Sequence, residues 1–214
     1  MNRARLARLL LAATILYVIG FYFVGSAIKP GYSQFSNFIS EYNASGTAHA
    51  GVLTYAGYVG ISAMLVAFLL VVRPILQVSD ASRVGFWLAF AIPGSYLLSA
   101  IAPCDPGCPL DGSPSQQLHN FLGVVTYFGM GANTALLGLA SGFSGHPARR
   151  AFLWATGIAF PVVFVLMLQP EVVPIRGLLQ RLLYVALAIS LVLVLRTLTP
   201  AGRSDRLPRA GAGA

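Results

Sequence analysis

Charge is what this chain has least of. Only 9% of its 214 residues are Asp, Glu, Lys or Arg, 57% are hydrophobic, and the mean hydropathy is +0.74. Soluble domains carry about 25% charged residues. So few charges cannot cover a water-facing surface, which excludes an ordinary soluble domain and leaves lipid to cover much of the exterior. Acidic residues number six and histidines three. Cysteine occurs twice, four residues apart, too few for a four-ligand structural zinc site. No HExxH, GxSxG or tight multi-histidine motif is present. The net charge of +8 does not indicate nucleic acid, because the fourteen basic residues lie mostly in short segments between apolar runs.

What is there is a series of long apolar runs. They predict an all-α polytopic membrane protein, a six-transmembrane-helix bundle over residues 1–198, with spans at about 9–28, 50–72, 84–103, 118–140, 151–169 and 177–197. The first run follows Arg3, Arg5 and Arg8 but exceeds the apolar core of a signal peptide, so a retained helix is expected. Arg73-Pro74 should close the second span, and Pro93-Gly94 and Pro161 should kink the third and fifth. Residues 199–214, rich in Arg, Pro, Gly and Ala, read as a disordered basic cytoplasmic tail. Eleven of the fourteen basic residues fall in the N-terminus, the 73–83 link, the 143–150 link and the tail. The positive-inside rule then puts both termini in the cytoplasm, with a bacterial cytoplasmic membrane as the expected location.

That topology gathers three polar segments on the outer face: 29–49, 103–119 and 170–181. The candidate catalytic residues are Asp105, His119 and Glu41, and the candidate ligand-binding residues are Arg181, Arg176, Gln180, Ser36, Asn37 and Ser40. Ionisable groups at helix mouths are costly unless they face a bundle interior or a wet cavity. Each has a plainer reading. Asp105 could cap a turn, His119 could bond a loop carbonyl, and Arg181 could snorkel to headgroups. Glu41 could pair with Arg176 or Arg181 as a lock between helices, and Asp105 with His119 as another. If Phe35–Tyr42 is helical, Asn37 and Glu41 share a face. Cys104 and Cys108 flank Asp105-Pro106-Gly107, where a turn would bring the sulfurs into disulfide range on an oxidising face. A disulfide is expected there in preference to free thiols or a metal site. Asn133, inside the fourth span, is expected to bond between helices. Asn43-Ala44-Ser45 matches a glycosylation sequon, a weak signal.

Several short motifs occur in a fixed order. They are Pro30-Gly31-Tyr32-Ser33 leading to Asn37-Phe38-Ile39-Ser40-Glu41-Tyr42, Pro103-Cys104-Asp105 with Leu118-His119, and Gly177-Leu178-Leu179-Gln180-Arg181. In these the chain resembles the DUF998 membrane proteins of bacteria and archaea, over about residues 8–198. It departs from the expected Ser-Glu-Leu-Gly by having Ser40-Glu41-Tyr42-Asn43. The resemblance implies a six-helix membrane fold and nothing about chemistry.

Three functions compete. The first is a non-catalytic protein that binds a lipid, a lipid-like ligand or a partner, with membrane lipids around it and no nucleic acid. The second is an intramembrane hydrolase of a lipid, in which His119, Asp105 and Glu41, with His49 as a further candidate, activate water with or without a metal and arginine holds a phosphate. The third is a small-solute transporter, for which mid-span charges would speak, but none of the six acids lies mid-span. The sequence leaves the cofactor unknown.

Overall fold

The computed structural model describes residues 1–199. The tail expected over 199–214 therefore lies, beyond Thr199, outside the described residues. Among these there is no strand.

Helix α1 (Arg3–Ile28) starts where the Asn2 side chain accepts the Arg5 N–H at 2.8 Å. The second rod is composite. A single turn, α2 (Ala50–Val52), runs through a π-helical stretch (Leu53–Val59) into α3 (Gly60–Val72), and Pro74 ends it as expected. The wide π turn aims Tyr58 into the bundle, where its hydroxyl donates to the Ile39 carbonyl.

The third rod breaks into α4 (Asp80–Leu88) and α5 (Ala91–Ile101). The break falls at Ala89–Phe90, one turn ahead of the expected kink at Pro93-Gly94. Pro93 has no N–H to offer the Ala89 carbonyl, which instead accepts from Ile92 N at 3.0 Å. Helix α6 (Pro114–Leu137) has Pro114 in its first turn and Ser113 as cap, whose Oγ accepts the Gln116 N–H at 3.2 Å. Helices α7 (Pro147–Met167) and α8 (Arg176–Leu198) complete the bundle.

Five stretches are long and apolar enough to cross a membrane: Arg3–Ile28, Ala50–Ile75, Asp80–Ile101, Pro147–Met167 and Pro170–Leu198. Helix α6 is long enough, at 24 residues, but too polar to join them. Of its polar residues, Gln116, Thr126, Asn133 and Thr134 are buried, Ser115, His119 and Asn120 are half-buried, and Gln117, in the first turn, is exposed. Its exposed residues Leu118, Phe121, Val125 and Phe128 form one apolar stripe at helical spacing.

Helix α6 is the hub. It packs on α4, α5 and α7 and touches α8, while α1 lies on α3 and α7 on α8. Asn133 Nδ2 donates to the Gly85 carbonyl at 2.8 Å, the interhelical bond expected of it. Helices α6 and α7 meet backbone to backbone at Gly131 and Gly157, with no room for a β-carbon on either. The 29–49, 102–113 and 168–175 connections share one end of the bundle, tied together there by Arg176.

Candidate ligand site at the loop end of the bundle

The first connection folds around Glu41. A short 3-10 helix (Ile39–Asn43) begins after Phe38, and Glu41 caps it by accepting the Phe38 N–H at 2.8 Å. Asn37 Nδ2 donates to the other carboxylate oxygen at 2.7 Å, so the two side chains meet as expected without a continuous helix over 35–42. Glu41 is 5% exposed, and its counter-charge is Arg176, at 3.3 Å. Arg176 also donates to the carbonyls of Ser36 (3.0 Å) and Gly107 (3.1 Å) and lies over the Phe38 ring. One guanidinium thus joins the first connection, the cysteine loop and the start of α8. Ser36 takes part through its carbonyl.

Arg181 has other partners. It donates to the carbonyls of Asn37 (3.1 Å) and Gly177 (2.8 Å) and to the hydroxyls of Tyr32 (2.6 Å) and Tyr42 (3.5 Å). Burial pushes the Tyr32 phenol up from its usual value, so it stays neutral, and Arg181 gains hydrogen bonds there without a counter-charge. Its Nε is buried with no partner among the described residues. Arg181 also forms part of the wall of an open groove of about 480 Å³ between Phe23, Phe35 and Leu178. Lys29 donates to the Tyr42 carbonyl and Thr47 Oγ1, and burial lowers its ammonium from the usual value against the pull of Glu41.

The sulfurs of Cys104 and Cys108 lie 2.01 Å apart, at bonding distance, across a turn that Gly107 closes with φ +82°. They and a ring nitrogen of His119 fall within 4.8 Å of one another, but sulfurs joined to each other have no thiolate to give a metal. Asp105 accepts the Ser113 N–H and Oγ–H, both at 2.8 Å, and so secures the cap of α6. His119 Nδ1 lies 2.8 Å from the Ala102 carbonyl. His119 matches its plainer reading, whereas the Asp105 carboxylate caps the start of α6 and not the cysteine turn, and no hydrogen bond joins Asp105 to His119 among the described residues. Asn43, 2% exposed, donates to the Ser99 carbonyl and is inaccessible to glycosylation.

Gln180 is engaged at both ends of its amide. Its Oε1 accepts the Ile39 N–H at 2.6 Å and its Nε2 donates to the Tyr127 hydroxyl at 2.8 Å. Ser40, His119, Gly123, Tyr127 and Gln180 stand where two cavities adjoin, since they line both. The inner cavity, about 60 Å³, reaches in among Tyr58, Ser95, Tyr96, Ser99 and Tyr184. The outer one is a cleft of about 310 Å³ between the first half of α6 and the last turns of α7, walled by Phe121, Val124, Phe164, Met167 and Leu168. Among the described residues, neither is lined by a carboxylate or a guanidinium.

The candidate residues therefore divide. Ser40, His119 and Gln180 reach the cavities. Glu41, Asn37, Ser36 and Arg176 form the clasp beside them, Asp105 holds the α6 cap, and Arg181 faces the separate groove. His49 is exposed at the mouth of the second rod. Sequence reasoning missed the tyrosines. Tyr22, Tyr58, Tyr96, Tyr127 and Tyr184 form a hydroxyl-bearing layer, with Tyr22 and Tyr96 bonded to each other at 2.9 Å. The available signal was a phenol inside an otherwise aliphatic span, because a buried tyrosine hydroxyl needs a partner.

The model of the family DUF998, described as a protein of unknown function, matches residues 11–197. No curated protein and no solved structure matches the chain. Over nearly its whole length, the chain belongs to the DUF998 family.

Proposed function

We propose that the protein spans the membrane six times, with both termini cytoplasmic, and binds an amphipathic lipid in the cleft between α6 and α7. Helix α6 counts as the sixth span because, beyond its first two turns, its polar residues Thr126, Asn133 and Thr134 are buried in the bundle and its exposed stripe is apolar. The orientation rests on Arg73, Arg83, Arg149 and Arg150 at the end of the bundle away from the cavities. The resemblance to bacterial and archaeal membrane proteins supports a cytoplasmic membrane.

One observation carries the lipid reading. The 310 Å³ cleft has exposed apolar walls at Phe121, Val124 and Leu168 and a polar inner end at Ser40, His119 and Gln180. A volume of this size is at the lower bound for ligand pockets. Its polarity runs from apolar at the bilayer side to polar inside, the same sense as a lipid entering sideways, head first.

Gly123 provides the test. It lines both cavities, and a β-carbon there would meet only Phe164, at 3.9 Å. Gly123→Leu should fill the cleft without forcing α6 and α7 apart. Wild-type protein purified in mild detergent is expected to retain a lipid, quantified by mass spectrometry of an organic extract, that the variant lacks at an unchanged melting temperature. Equal lipid content in both proteins would refute the reading.

A further inference from the structure

The meeting point of the two cavities holds an unusual pair of unused valences. The Ile39 N–H can only donate, so the Gln180 atom it meets is the amide oxygen, and the amide nitrogen is the one that faces Tyr127. Tyr127 accepts that bond, which leaves its own O–H proton to give away. A backbone carbonyl can only accept, so the His119 proton sits on Nδ1, facing Ala102. In the neutral ring the nitrogen left over, Nε2, is an acceptor. Tyr127 and His119 both line both cavities. The junction thus offers one donor and one acceptor, with Ser40 beside them and Ser99 and Ser95 further in.

One donor and one acceptor are the complement of a hydroxyl group, which donates one proton and accepts at its oxygen. They are a poor match for a phosphate, whose oxygens would face the His119 lone pair. Charge points the same way. Arg176 is committed to Glu41 and two carbonyls, and Arg181 stands in the other groove. A phosphate in the cleft would be a buried anion without a cation among the described residues, which is costly, whereas a hydroxyl needs only its two hydrogen bonds. The 60 Å³ of the inner cavity suits a head of one or two hydroxyls and excludes a bulky one.

We infer that the cleft selects an uncharged lipid alcohol, its hydroxyl head held between Tyr127 and His119 and its chain lying along Phe121, Phe164 and Met167. The inference deepens the lipid reading above and rests on it.

The test uses full-length protein in lipid nanodiscs and a monoacylglycerol carrying a diazirine in its acyl chain. After irradiation, cross-links are mapped by mass spectrometry and challenged with unlabelled monoacylglycerol or with the phosphate ester of the same chain. Labelling is expected within 121–124 and 164–168, with the alcohol competing at least tenfold better than the phosphate ester. Tyr127→Phe, which removes only the hydroxyl, should cut that preference several-fold and leave the labelled positions unchanged. Equal or better competition by the phosphate ester, with labelling still in the cleft, would overturn the headgroup inference and leave the cleft reading standing. Absence of labelling at both segments would overturn the two together.

Discussion

Gly131 and Gly157 hold α6 and α7 at backbone contact. A β-carbon on Gly131 would stand 2.7 Å from the Gly157 carbonyl oxygen, and one on Gly157 would stand 2.8 Å from that of Gly131. Both obstacles are main chain, so no rotamer change relieves them. Gly157→Ala is expected to destabilise the protein by about 1–3 kcal/mol, the usual cost of overpacking. Gly123→Ala, on the same helix as Gly131 but with only Phe164 near its β-carbon, at an ordinary contact distance of 3.9 Å, should be close to neutral. Thermal unfolding in detergent compares them, and equal melting temperatures would contradict the contact.

Glu41 should be coupled more strongly to Arg176 than to Arg181. In a double-mutant cycle, Glu41→Gln with Arg176→Ala is expected to show an interaction energy of about 0.5–3 kcal/mol. Glu41→Gln with Arg181→Ala, which are linked only through Asn37, is expected to show a smaller interaction energy than the Arg176 cycle. The reverse pattern in unfolding measurements would assign the lock to the wrong arginine.

Asp105 is expected to act on stability through the α6 cap. Its two oxygens each accept a bond from Ser113. Asp105→Ala should cost about 1.5–3 kcal/mol, in the range for hydrogen bonds to a charged group. Asp105→Asn, which keeps one carbonyl acceptor, should cost less. Lipid content per protein should be unchanged in both, and its loss in a fully folded Asp105→Asn protein would place the carboxylate in the binding chemistry.

Both thiols should be unreactive in protein purified under air. Intact-mass measurement after maleimide treatment is expected to show no added label, and two labels after reduction. Replacing both Cys104 and Cys108 by Ser should lower stability by about 2 kcal/mol, the chain-entropy value for so short a loop. One or two labels without reduction would mean that the pair is open.

The 143–150 link should face the cytoplasm. With both native cysteines replaced by Ser, a Gly145→Cys protein is expected to resist a membrane-impermeant maleimide in intact cells and to react after lysis. Labelling in intact cells would invert the topology.

The sequence made some of this legible and hid the rest for definable reasons. Apolar run length marked the rods, and Pro74 marked an end, because both act locally. The sequence spacing of Cys104 and Cys108 was enough to suggest their pairing, and Asn133 was read as an interhelical donor because a buried amide in a span has few other uses. The choice between Arg176 and Arg181 was not readable. The two lie five residues apart on α8, about 140° around the helix at 3.6 residues per turn, so the partner of Glu41 depends on how α8 is rotated. The tyrosine layer stayed hidden because hydropathy treats a phenol as a neutral span residue. The break at Ala89–Phe90 was placed one turn late because a proline disturbs the carbonyl behind it, not its own position.

The clasp around Glu41 joins residues that leave the ribosome far apart in time. Ile39 and Glu41 belong to the first connection, whereas Gln180 and Arg176 arrive with the last helix, about 140 residues later. Until α8 inserts, the first connection carries a carboxylate without its cation and an Ile39 N–H without its acceptor. Completion of the loop end is therefore a late event in biogenesis, and a chain truncated before residue 176 would present quality-control proteases with an unfinished loop and an unclosed cleft.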